Sequence, residues 1–395
     1  MLRSQKDLFA LPPDLHYLNA AYLSPQLRAV EAAGVSAIRV LRDPTQVGAA
    51  DFFDDSDHVR ALFADLVGSP GSADRVALVP AASYGVETVA QNVTLGPGRS
   101  VVVLGGQFPS HVYPWRRLAA ETGGEVRTVE APAPLGAEGR GAGWSERLLD
   151  AIDADTAVIA VPHVHWADGT RFDLEAVGAR AREVGAALVV DGTQSVGALP
   201  FDLDAIRPDA LVCAGYKWLL GPAGTGTLYL GERFADGRPL EETWLGRAGS
   251  DDFSGLTDYA DDYGPGAVRF DMGGRANGIL LPMLIAGLQQ LRAWGVGEVQ
   301  ATCAARADVI VDGARALGYA AEDAAWRAGH LFGLAPPPGI EADAVRRALA
   351  ERNVAVSTRG GVVRVSPHVY NDGADVDALL GGLAAATGRG RAVAA

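Results

Sequence analysis

Apolar and polar positions divide the chain into two regions of different pattern. Between residues 75 and 230, short apolar runs alternate with segments of helical spacing. The runs are residues 75–80, 100–105, 157–162, 186–191, 210–213 and 225–230. Strands that alternate with helices in this way are typical of a mainly parallel sheet with helical crossovers. The pattern therefore predicts a large α/β domain built on such a sheet.

The second region follows a loop-rich stretch at residues 231–268. Helical patterns cover residues 277–294 and 297–318, and strand patterns cover residues 330–335 and 362–365. This order predicts a smaller α+β domain. We expect an N-terminal segment (residues 1–40) that packs with the small domain, a large domain (41–265) and the small domain (266–395), with residues 385–395 as a frayed tail.

Five side chains each follow a different predicted strand of the large domain. They are Ser83, Phe108, His165, Asp191 and Lys217. The carboxyl ends of parallel strands form one edge of the sheet, and ligands bind at this edge in open α/β folds. We therefore expect the five residues to surround one ligand site.

Composition limits the partners that this site can have. With 48% hydrophobic and 21% charged residues, the 395-residue chain can form an extensive core. A net charge of -14 disfavours broad binding to nucleic acid or anionic membranes. The N-terminal residues lack the apolar segment of a signal peptide, and no apolar run reaches the length that spans a bilayer. We expect a cytoplasmic protein that acts on a small molecule.

Lysine is rare in this chain, since Lys6 and Lys217 are its only two among 34 lysine and arginine residues. The guanidinium group of arginine stays protonated, so arginine cannot serve as an amine nucleophile or a proton shuttle. Lys6 lies in a polar stretch, whereas Lys217 follows the apolar run 210–213. A lysine at the end of a buried strand suggests Schiff-base chemistry. A coding bias toward arginine explains the rarity but not the position of Lys217.

Ser83 and Asp191 carry groups that fit a phosphorylated aromatic ligand. Ser83 stands at a predicted helix start, where backbone N–H groups can hold a phosphate; a simple serine N-cap is the alternative. Asp191 ends a buried strand and needs a partner, which a protonated pyridine nitrogen would supply; a helix cap or structural ion pair is the alternative. Asp191 and Lys217 fit opposite edges of one flat ligand.

A metal-dependent hydrolase is an alternative interpretation of the residues at this edge of the sheet. His163 and His165 are two residues apart, and Asp168 follows them, so the three could hold a metal ion together with Asp191. Two histidines at this spacing are a weak signal by themselves, and no cluster of further ligands with matching spacing accompanies them. We therefore predict no metal site. The two cysteines, Cys213 and Cys303, are also too few for a disulfide framework or a cysteine-rich metal site.

An anionic substrate group has candidate partners in the C-terminal region. Arg364 lies within the predicted strand 362–365, and its guanidinium fork suits a carboxylate. Arg359, five residues earlier, is the alternative. Asn19 in the N-terminal segment is a further candidate for substrate binding.

Three segments together resemble the class V aminotransferase-like enzymes of fold type I, which use pyridoxal 5'-phosphate. They are Asp-Gly-Thr-Gln at residues 191–194, Gly-Tyr-Lys-Trp at 215–218 and the segment 107–115, with Phe108 at the ring-stacking position. The resemblance runs from about residue 17 to 380 and is nearest to isopenicillin N epimerase-like, kynureninase and cysteine desulfurase-like proteins. It implies a mainly parallel, seven-stranded-type sheet flanked by helices in the large domain.

The resemblance also implies roles for individual residues. Lys217 would form the Schiff base with the cofactor and move protons at the substrate Cα, and Asp191 would keep the pyridine nitrogen protonated. Gln194 would donate to the phenolic oxygen, and Arg364 would bind the substrate carboxylate. The remaining cofactor contacts would come from Ala82, Ser83 and Tyr216 at the phosphate, Phe108 on the ring, and His165.

Departures from the family pattern bear on the reaction. Residues 337–363 contain no cysteine, so persulfide-forming desulfuration is not expected. Kynureninases have histidine at the position of Gln194 and asparagine at that of His165, which disfavours a kynurenine substrate. We therefore expect a lyase or epimerase that acts through a Cα carbanion, with an aminotransferase as the alternative.

The family resemblance further implies a homodimer with sites near the subunit interface. Many relatives present a Gly-Thr pair to the neighbouring cofactor phosphate, whereas this chain has Gly-Gly-Arg at residues 273–275. We expect Arg275 or Asn277 to take the place of the missing threonine.

Overall fold

The computed structural model describes residues 1–388. Its β-strands form a seven-stranded sheet, a three-stranded sheet and a two-stranded pair. In chain order they are β1 (His16–Tyr17), β2 (Val76–Val79), β3 (Ser100–Leu104), β4 (Glu125–Val129), β5 (Thr156–Pro162), β6 (Ala187–Asp191), β7 (Ala210–Ala214), β8 (Gly226–Leu230), β9 (Phe332–Leu334), β10 (Val354–Ala355), β11 (Ser357–Arg359) and β12 (Val362–Val365).

Helices connect most of these strands and form the outer layers of the molecule. The α-helices of residues 1–388 are α1 (Arg28–Val40), α2 (Asp54–Leu66), α3 (Ala82–Gln91), α4 (Tyr113–Thr122), α5 (Arg140–Asp150), α6 (Leu174–Val184), α7 (Leu203–Ile206), α8 (Leu280–Trp294), α9 (Val296–Ala316), α10 (Ala342–Ala350) and α11 (Gly373–Ala386). No helix in the described part of the chain is long and apolar enough to cross a membrane.

The seven-stranded sheet has the strand order β2-β8-β7-β6-β5-β3-β4. Strand β8 runs antiparallel to both of its neighbours, and the other neighbouring pairs are parallel. The predicted mainly parallel α/β sheet is therefore confirmed, and each of the six predicted apolar runs overlaps one of its strands. Strand β4 was not predicted from the sequence, because it lies at the edge of the sheet and is largely exposed.

Two apolar cores cover the two faces of this sheet. Successive residues of a strand point to opposite faces, so Ile159 and Val161 of β5 join one core, while Val158 and Ala160 join the other. Helices α2, α5, α6 and α8 contribute to the first core, and α3 and α4 contribute to the second. Burial on both faces explains why the central strands read as continuous apolar runs.

The C-terminal region has its own core around the antiparallel sheet β11-β12-β9 and helices α9, α10 and α11. Strand β1 of the N-terminal segment pairs in parallel with β10. Helix α1 and helix α8 pack together and against the large region. The predicted tail at residues 385–395 begins within α11, which continues to Ala386, and residues 389–395 lie outside the described part. The domain boundaries at residues 40 and 265 stay a prediction.

A tight turn joins β11 to β12 and fixes their register. Gly360 and Gly361 have φ angles of 54° and 85°, and Arg359 pairs with Val362 across the two strands. A two-residue hairpin with positive φ at both turn positions is favourable for glycine, which has no Cβ to clash with the backbone. The Gly-Gly sequence therefore determines which residues of β11 and β12 lie opposite one another.

Candidate active site

A cleft with two adjoining compartments lies beyond the carboxyl ends of the central strands. We name them by position. The inner compartment has a volume of about 180 Å³ and the outer compartment about 340 Å³. Both are lined by Phe108, Trp166, Tyr216 and Lys217. The inner one is completed by Ala81, Ala82, Ser83, Ser110, Asp191, Thr193, Gln194 and Ala214, and the outer one by Ala21, Tyr22, Leu23, Arg359 and Arg364.

Lys217 is positioned by a compact turn after β7. A Cβ at Gly215 would lie 2.2 Å from the Thr225 hydroxyl oxygen, so only glycine fits where the turn approaches that side chain. Within the turn, the carbonyl of Lys217 accepts a hydrogen bond from the backbone N–H of Leu220 at 3.1 Å. The lysine side chain consequently lies at the boundary between the two compartments.

Burial makes the amine of Lys217 unusually acidic. The side chain is 8% exposed, and burial lowers its pKa from 10.5 to about 8. The carboxylate of Asp191 opposes this shift, while the charges of Arg364 and Arg359 add to it. Desolvation disfavours the charged ammonium, so a much larger fraction of neutral amine is present near neutral pH than in an exposed lysine. A neutral amine is the form that attacks a carbonyl group.

Asp191 ends β6 and lines the inner compartment. Its Oδ1 atom accepts a hydrogen bond from the backbone N–H of Thr193 at 2.9 Å. No arginine or lysine in residues 1–388 forms an ion pair with it, which excludes the structural ion pair considered from the sequence. A carboxylate in this position fits a ligand with a positively charged nitrogen, because a lone partly buried charge is costly.

The side chain of Gln194 is oriented by two hydrogen bonds. Its Oε1 atom accepts from the indole Nε1 of Trp218 at 2.9 Å, and its Nε2 atom donates to the carbonyl of Ala21 at 3.0 Å. These contacts assign the oxygen and nitrogen of the amide. An amide nitrogen has two hydrogens, so one N–H remains for a ligand in the inner compartment.

The start of α3 provides a site for an anionic group. Ala81 precedes the helix and makes no side-chain capping bond, while Ala82 and Ser83 form the first turn and line the inner compartment. Backbone N–H groups of a first helical turn have no partner within the helix and attract anions. Ser83 is not the N-cap residue of this helix, so the simple capping alternative is wrong.

Aromatic rings form the walls of the cleft. Phe108 is 37% exposed and meets the ring of Trp166 edge to face, with centroids 5.3 Å apart. The Nζ atom of Lys217 lies 5.5 Å from the Phe108 centroid. A hydrogen bond of 2.8 Å from the indole nitrogen to the Gly106 carbonyl fixes Trp166. Flat apolar walls of this kind suit a planar aromatic ligand.

Arg364 brings a buried cation to the outer compartment. Its side chain is 1% exposed, and its Nη1 atom donates to the carbonyl of Trp166 at 2.9 Å. Its Nε and Nη2 atoms are buried and have no partner among the described residues. Burial, and then the nearby charge of Arg359, lower the pKa of Arg364 to about 9. An anionic ligand would satisfy the two free nitrogens.

The histidines after β5 do not line the cleft. His165 is buried, with its ring nitrogens 3.2 Å from the Gly105 carbonyl and 3.2 Å from the Asp168 carboxylate. These two contacts hold its ring in place, and the next residue, Trp166, lines both compartments. The cofactor contact predicted for His165 stays a prediction. His163 faces Phe201 and borders a separate cavity. The described residues contain no group of three or more side chains that could hold a metal ion.

Three other predicted residues lie outside both compartments. Asn19 accepts a hydrogen bond from the hydroxyl of Ser357 at 2.5 Å. Arg275 is buried and paired with Asp271. Asn277 accepts a bond from the backbone of Leu280 and borders a separate cavity of about 740 Å³. The roles predicted for these residues, two of them across a dimer, stay predictions.

Tyr22, Thr193 and Trp166 line the cleft but were not predicted from the sequence. Trp166 directly follows the second histidine of the Pro-His-Val-His motif, and Thr193 lies within the Asp-Gly-Thr-Gln motif. Both could have been found by extending the strand-end argument to every residue of those motifs. Tyr22 has no such signal, because it reaches the cleft from the N-terminal segment.

The chain is similar in sequence to proteins of several named groups. A family model described as aminotransferase class V matches residues 42–246. An uncharacterised aminotransferase of Bacillus subtilis is 29% identical over 339 residues, 84% of either chain. The isopenicillin N epimerase of Streptomyces clavuligerus is 27% identical over 83% of this chain and 84% of the relative. A probable cysteine desulfurase of Methanothermobacter thermautotrophicus is 37% identical, but over only 40% of this chain and 38% of the relative.

Solved structures share the fold at lower sequence identity. A cysteine desulfurase from Thermococcus onnurineus superposes with a TM-score of 0.81 at 22% identity, covering 96% of this chain and 97% of that chain. The cystine C-S lyase C-DES, in complex with its product cysteine persulfide, superposes with a TM-score of 0.84 at 19% identity. The superposition covers 94% of this chain and 98% of the C-DES chain. At these identities the likeness shows the fold alone.

Proposed function

This chain belongs to the aminotransferase class V family of pyridoxal-phosphate enzymes, as predicted from the sequence, and we propose that it acts at Cα of an amino-acid substrate. One observation carries the proposal. The amine of Lys217, with a pKa of about 8, stands between a compartment suited to the cofactor and a compartment suited to an anionic substrate. C-DES, which shares the fold, has also been solved with glycine covalently linked to a pyridoxal-phosphate cofactor.

The inner compartment fits the cofactor group by group. The Asp191 carboxylate would face the pyridine nitrogen, and the free N–H of Gln194 would face the phenolic oxygen. The first turn of α3 and the hydroxyls of Ser83 and Tyr216 would hold the phosphate. Phe108 would cover one face of the ring. These side chains match the cofactor in charge and hydrogen-bonding character, which supports its assignment to this compartment.

The reaction would divide between the cofactor and the protein. The bound cofactor supplies an electron-poor ring that stabilises negative charge at Cα when a bond to that carbon breaks. Asp191 would strengthen that effect by keeping the pyridine nitrogen protonated. Lys217, once free of the cofactor, would remove and return a proton at Cα, which its lowered pKa suits near neutral pH. Arg364 would hold the substrate carboxylate so that Cα faces Lys217.

Among the reactions open to such a site, we favour elimination or epimerisation. The isopenicillin N epimerase matches most of the chain, and C-DES, a C-S lyase, shares its fold. Amino transfer is the second candidate, because the Bacillus subtilis relative, which also matches most of the chain, is named as an aminotransferase.

Persulfide-forming desulfuration is disfavoured by the positions of both cysteines. Cys213 and Cys303 are free and at most 1% exposed, and both belong to the apolar core. Burial raises the pKa of Cys303 to about 12 and raises that of Cys213 as well. A thiol attacks sulfur as its thiolate, from an accessible position. Neither cysteine meets these conditions.

The proposed dimer would explain an exposed apolar face. Ile38, Val40 and Leu41 of the α1 region are between 47% and 55% exposed, and Val40 and Leu41 line the cavity that Asn277 borders. A second copy of the chain would cover them and could bring Arg275 or Asn277 to the phosphate end of its partner's cleft. Light scattering after gel filtration tests this proposal. A mass near 41.0 kDa would contradict it.

Product analysis tests the proposed reaction. Protein loaded with pyridoxal phosphate is incubated with single amino acids, with and without an added keto acid. Release of ammonia and a keto acid without acceptor indicates elimination, and inverted stereochemistry without consumption indicates epimerisation. Turnover that requires the added keto acid indicates amino transfer. Protein that takes up no cofactor and alters no amino acid would overturn the proposal.

A further inference from the structure

Two arginines share one face of the β11–β12 hairpin. Arg364 pairs with Ser357 across the two strands, and paired residues project to the same side of a sheet. Arg359 lies two residues beyond Ser357 on β11 and therefore projects to that side as well. Diagonal neighbours of this kind are about 7 Å apart, which is within reach of long side chains.

Neither of these charges is neutralised by the described protein. The outer compartment contains no aspartate or glutamate, and no carboxylate of residues 1–388 lies within ion-pair distance of Arg359 or Arg364. Two guanidinium groups at this distance repel each other, and a bound anion would relieve that repulsion. Lys217 adds a further basic group to the same compartment. The charge pattern indicates a ligand with more than one negative group.

Trp166 holds both arginines in defined positions. Its carbonyl accepts the hydrogen bond from Arg364 Nη1 at 2.9 Å, and its ring centroid lies 5.6 Å from the guanidinium carbon of Arg359. The second contact is a cation–π interaction, which orients a guanidinium group without neutralising it. Arg359 also donates to the carbonyl of Thr358 at 2.7 Å. The two cationic groups are therefore preorganised, and binding an anion would cost little further ordering.

The two arginines differ in their relation to Lys217. Arg364 is the more deeply buried, retains two free nitrogens, and lowers the pKa of Lys217 more than Arg359 does. A group that binds the α-carboxylate has to lie near the lysine that acts at Cα. Arg364 meets this condition, which leaves Arg359 at the part of the compartment that the substrate side chain would reach.

We propose that the substrate is a short acidic amino acid, whose side-chain anion binds Arg359 while its α-carboxylate binds Arg364. This inference rests on the proposed function and specifies its substrate class. The volume of about 340 Å³ in the outer compartment limits the side chain to a few carbon atoms. Both anionic groups would form charge-assisted hydrogen bonds with guanidinium groups, the strongest class of such bonds in proteins.

Calorimetric titration of the holoenzyme with amine-free probes tests the proposal. Succinate carries two carboxylates, whereas its monoamide, succinamate, replaces one of them with a neutral group of the same shape. We expect succinate to bind about 10- to 100-fold more tightly, the range for one charge-assisted hydrogen bond. Arg359→Gln should remove this preference and leave succinamate binding unchanged. Arg364→Gln should weaken the binding of both probes.

Turnover gives a second readout with paired substrates. Aspartate should show a KM about 10- to 100-fold below that of asparagine, and glutamate should be favoured over glutamine in the same way. Arg359→Gln should raise KM for the acidic member of a pair and spare the amide. Arg180→Gln is the matched control, because it removes a partly exposed arginine on α6 that lines neither compartment and should leave the preference unchanged. Uptake of the cofactor by each variant shows that it is folded.

Two results would overturn the proposal while leaving the proposed function intact. One is equal binding of succinate and succinamate to a holoenzyme that turns over neutral amino acids. The other is an Arg359→Gln variant that binds both probes more weakly by the same factor. That result would mean that Arg359 has a structural role. Failure of the proposed function is a separate result, recognised when the protein takes up no pyridoxal phosphate at all.

Discussion

Replacing Lys217 with methionine should stabilise the cofactor-free protein. Methionine has a similar unbranched shape and no charge, so the substitution removes a buried ammonium and leaves the packing close to unchanged. The lysine is 8% exposed, and burial lowers its pKa from 10.5 to about 8. In the unfolded chain the same amine is fully hydrated. The folded protein therefore carries an energetic cost for keeping this residue protonated.

The magnitude follows from the pKa change. A difference between 10.5 and about 8, at about 1.4 kcal/mol per pKa unit, corresponds to about 3 kcal/mol. Between pH 8 and 10.5 the unfolded state binds the proton and the folded state has lost it, so wild-type stability rises with pH relative to the variant. The advantage of Lys217→Met is therefore greatest below pH 8 and disappears above pH 10.5.

Urea unfolding of cofactor-free protein between pH 7 and pH 10.5 measures this advantage. The free energy of unfolding of the wild type is subtracted from that of Lys217→Met at each pH, so groups that titrate in both proteins cancel. Lys6→Met is the control, because Lys6 is partly exposed and its ion pairs with Asp372 and Asp375 are long, at 3.5 Å and 3.8 Å. This substitution should change stability by less than about 1 kcal/mol. A Lys217→Met variant that is less stable at pH 7, or a difference that does not vary with pH, would refute the reasoning.

Three further predictions concern the core and the site. Glu322→Ala should lower the free energy of unfolding by about 3 kcal/mol in urea titrations, because it leaves the buried guanidinium of Arg140 without one of its two carboxylate partners; an equally stable variant would contradict this. Iodoacetamide should modify Cys213 and Cys303 only after unfolding, as read by mass spectrometry, and leave turnover unchanged; inactivation of native protein would contradict their burial. Asp191→Asn should lower turnover at least about 100-fold with no loss of stability, and near-normal turnover would show that its charge is not needed.

Much of the large region was predictable because its central strands are buried on both faces. The run at residues 157–162, for example, contains all but one residue of β5. The prediction that Asp191 and Lys217 lie at the same edge of a parallel sheet also implied that they share one cleft. Both residues line the inner compartment of the structure. Strand β4 escaped the same reasoning because an exposed edge strand has no apolar run to reveal it.

Side-chain direction beyond a strand end was harder to predict. His165 was expected at the cofactor, but it contacts the Gly105 carbonyl and Asp168 and lines neither compartment. The next residue, Trp166, lines both. The spacing of residues along the sequence does not predict such side-chain contacts. Arg359 and Arg364 were treated as alternatives, although the two-glycine turn between them places both on one face of the hairpin. The register could have been inferred from that turn.

The central claim is that Lys217 carries the cofactor, and the scarcity of lysine makes it directly measurable. Protein incubated with pyridoxal phosphate is reduced with borohydride, digested and analysed by mass spectrometry. Because Lys6 and Lys217 are the only lysines in the chain, each can be assigned to its own peptide. We predict one reduced cofactor per chain, on the peptide that contains Lys217. In the Lys217→Ala variant, the corresponding peptide should carry no cofactor. Cofactor found on Lys6 alone, or on neither lysine, would contradict the account.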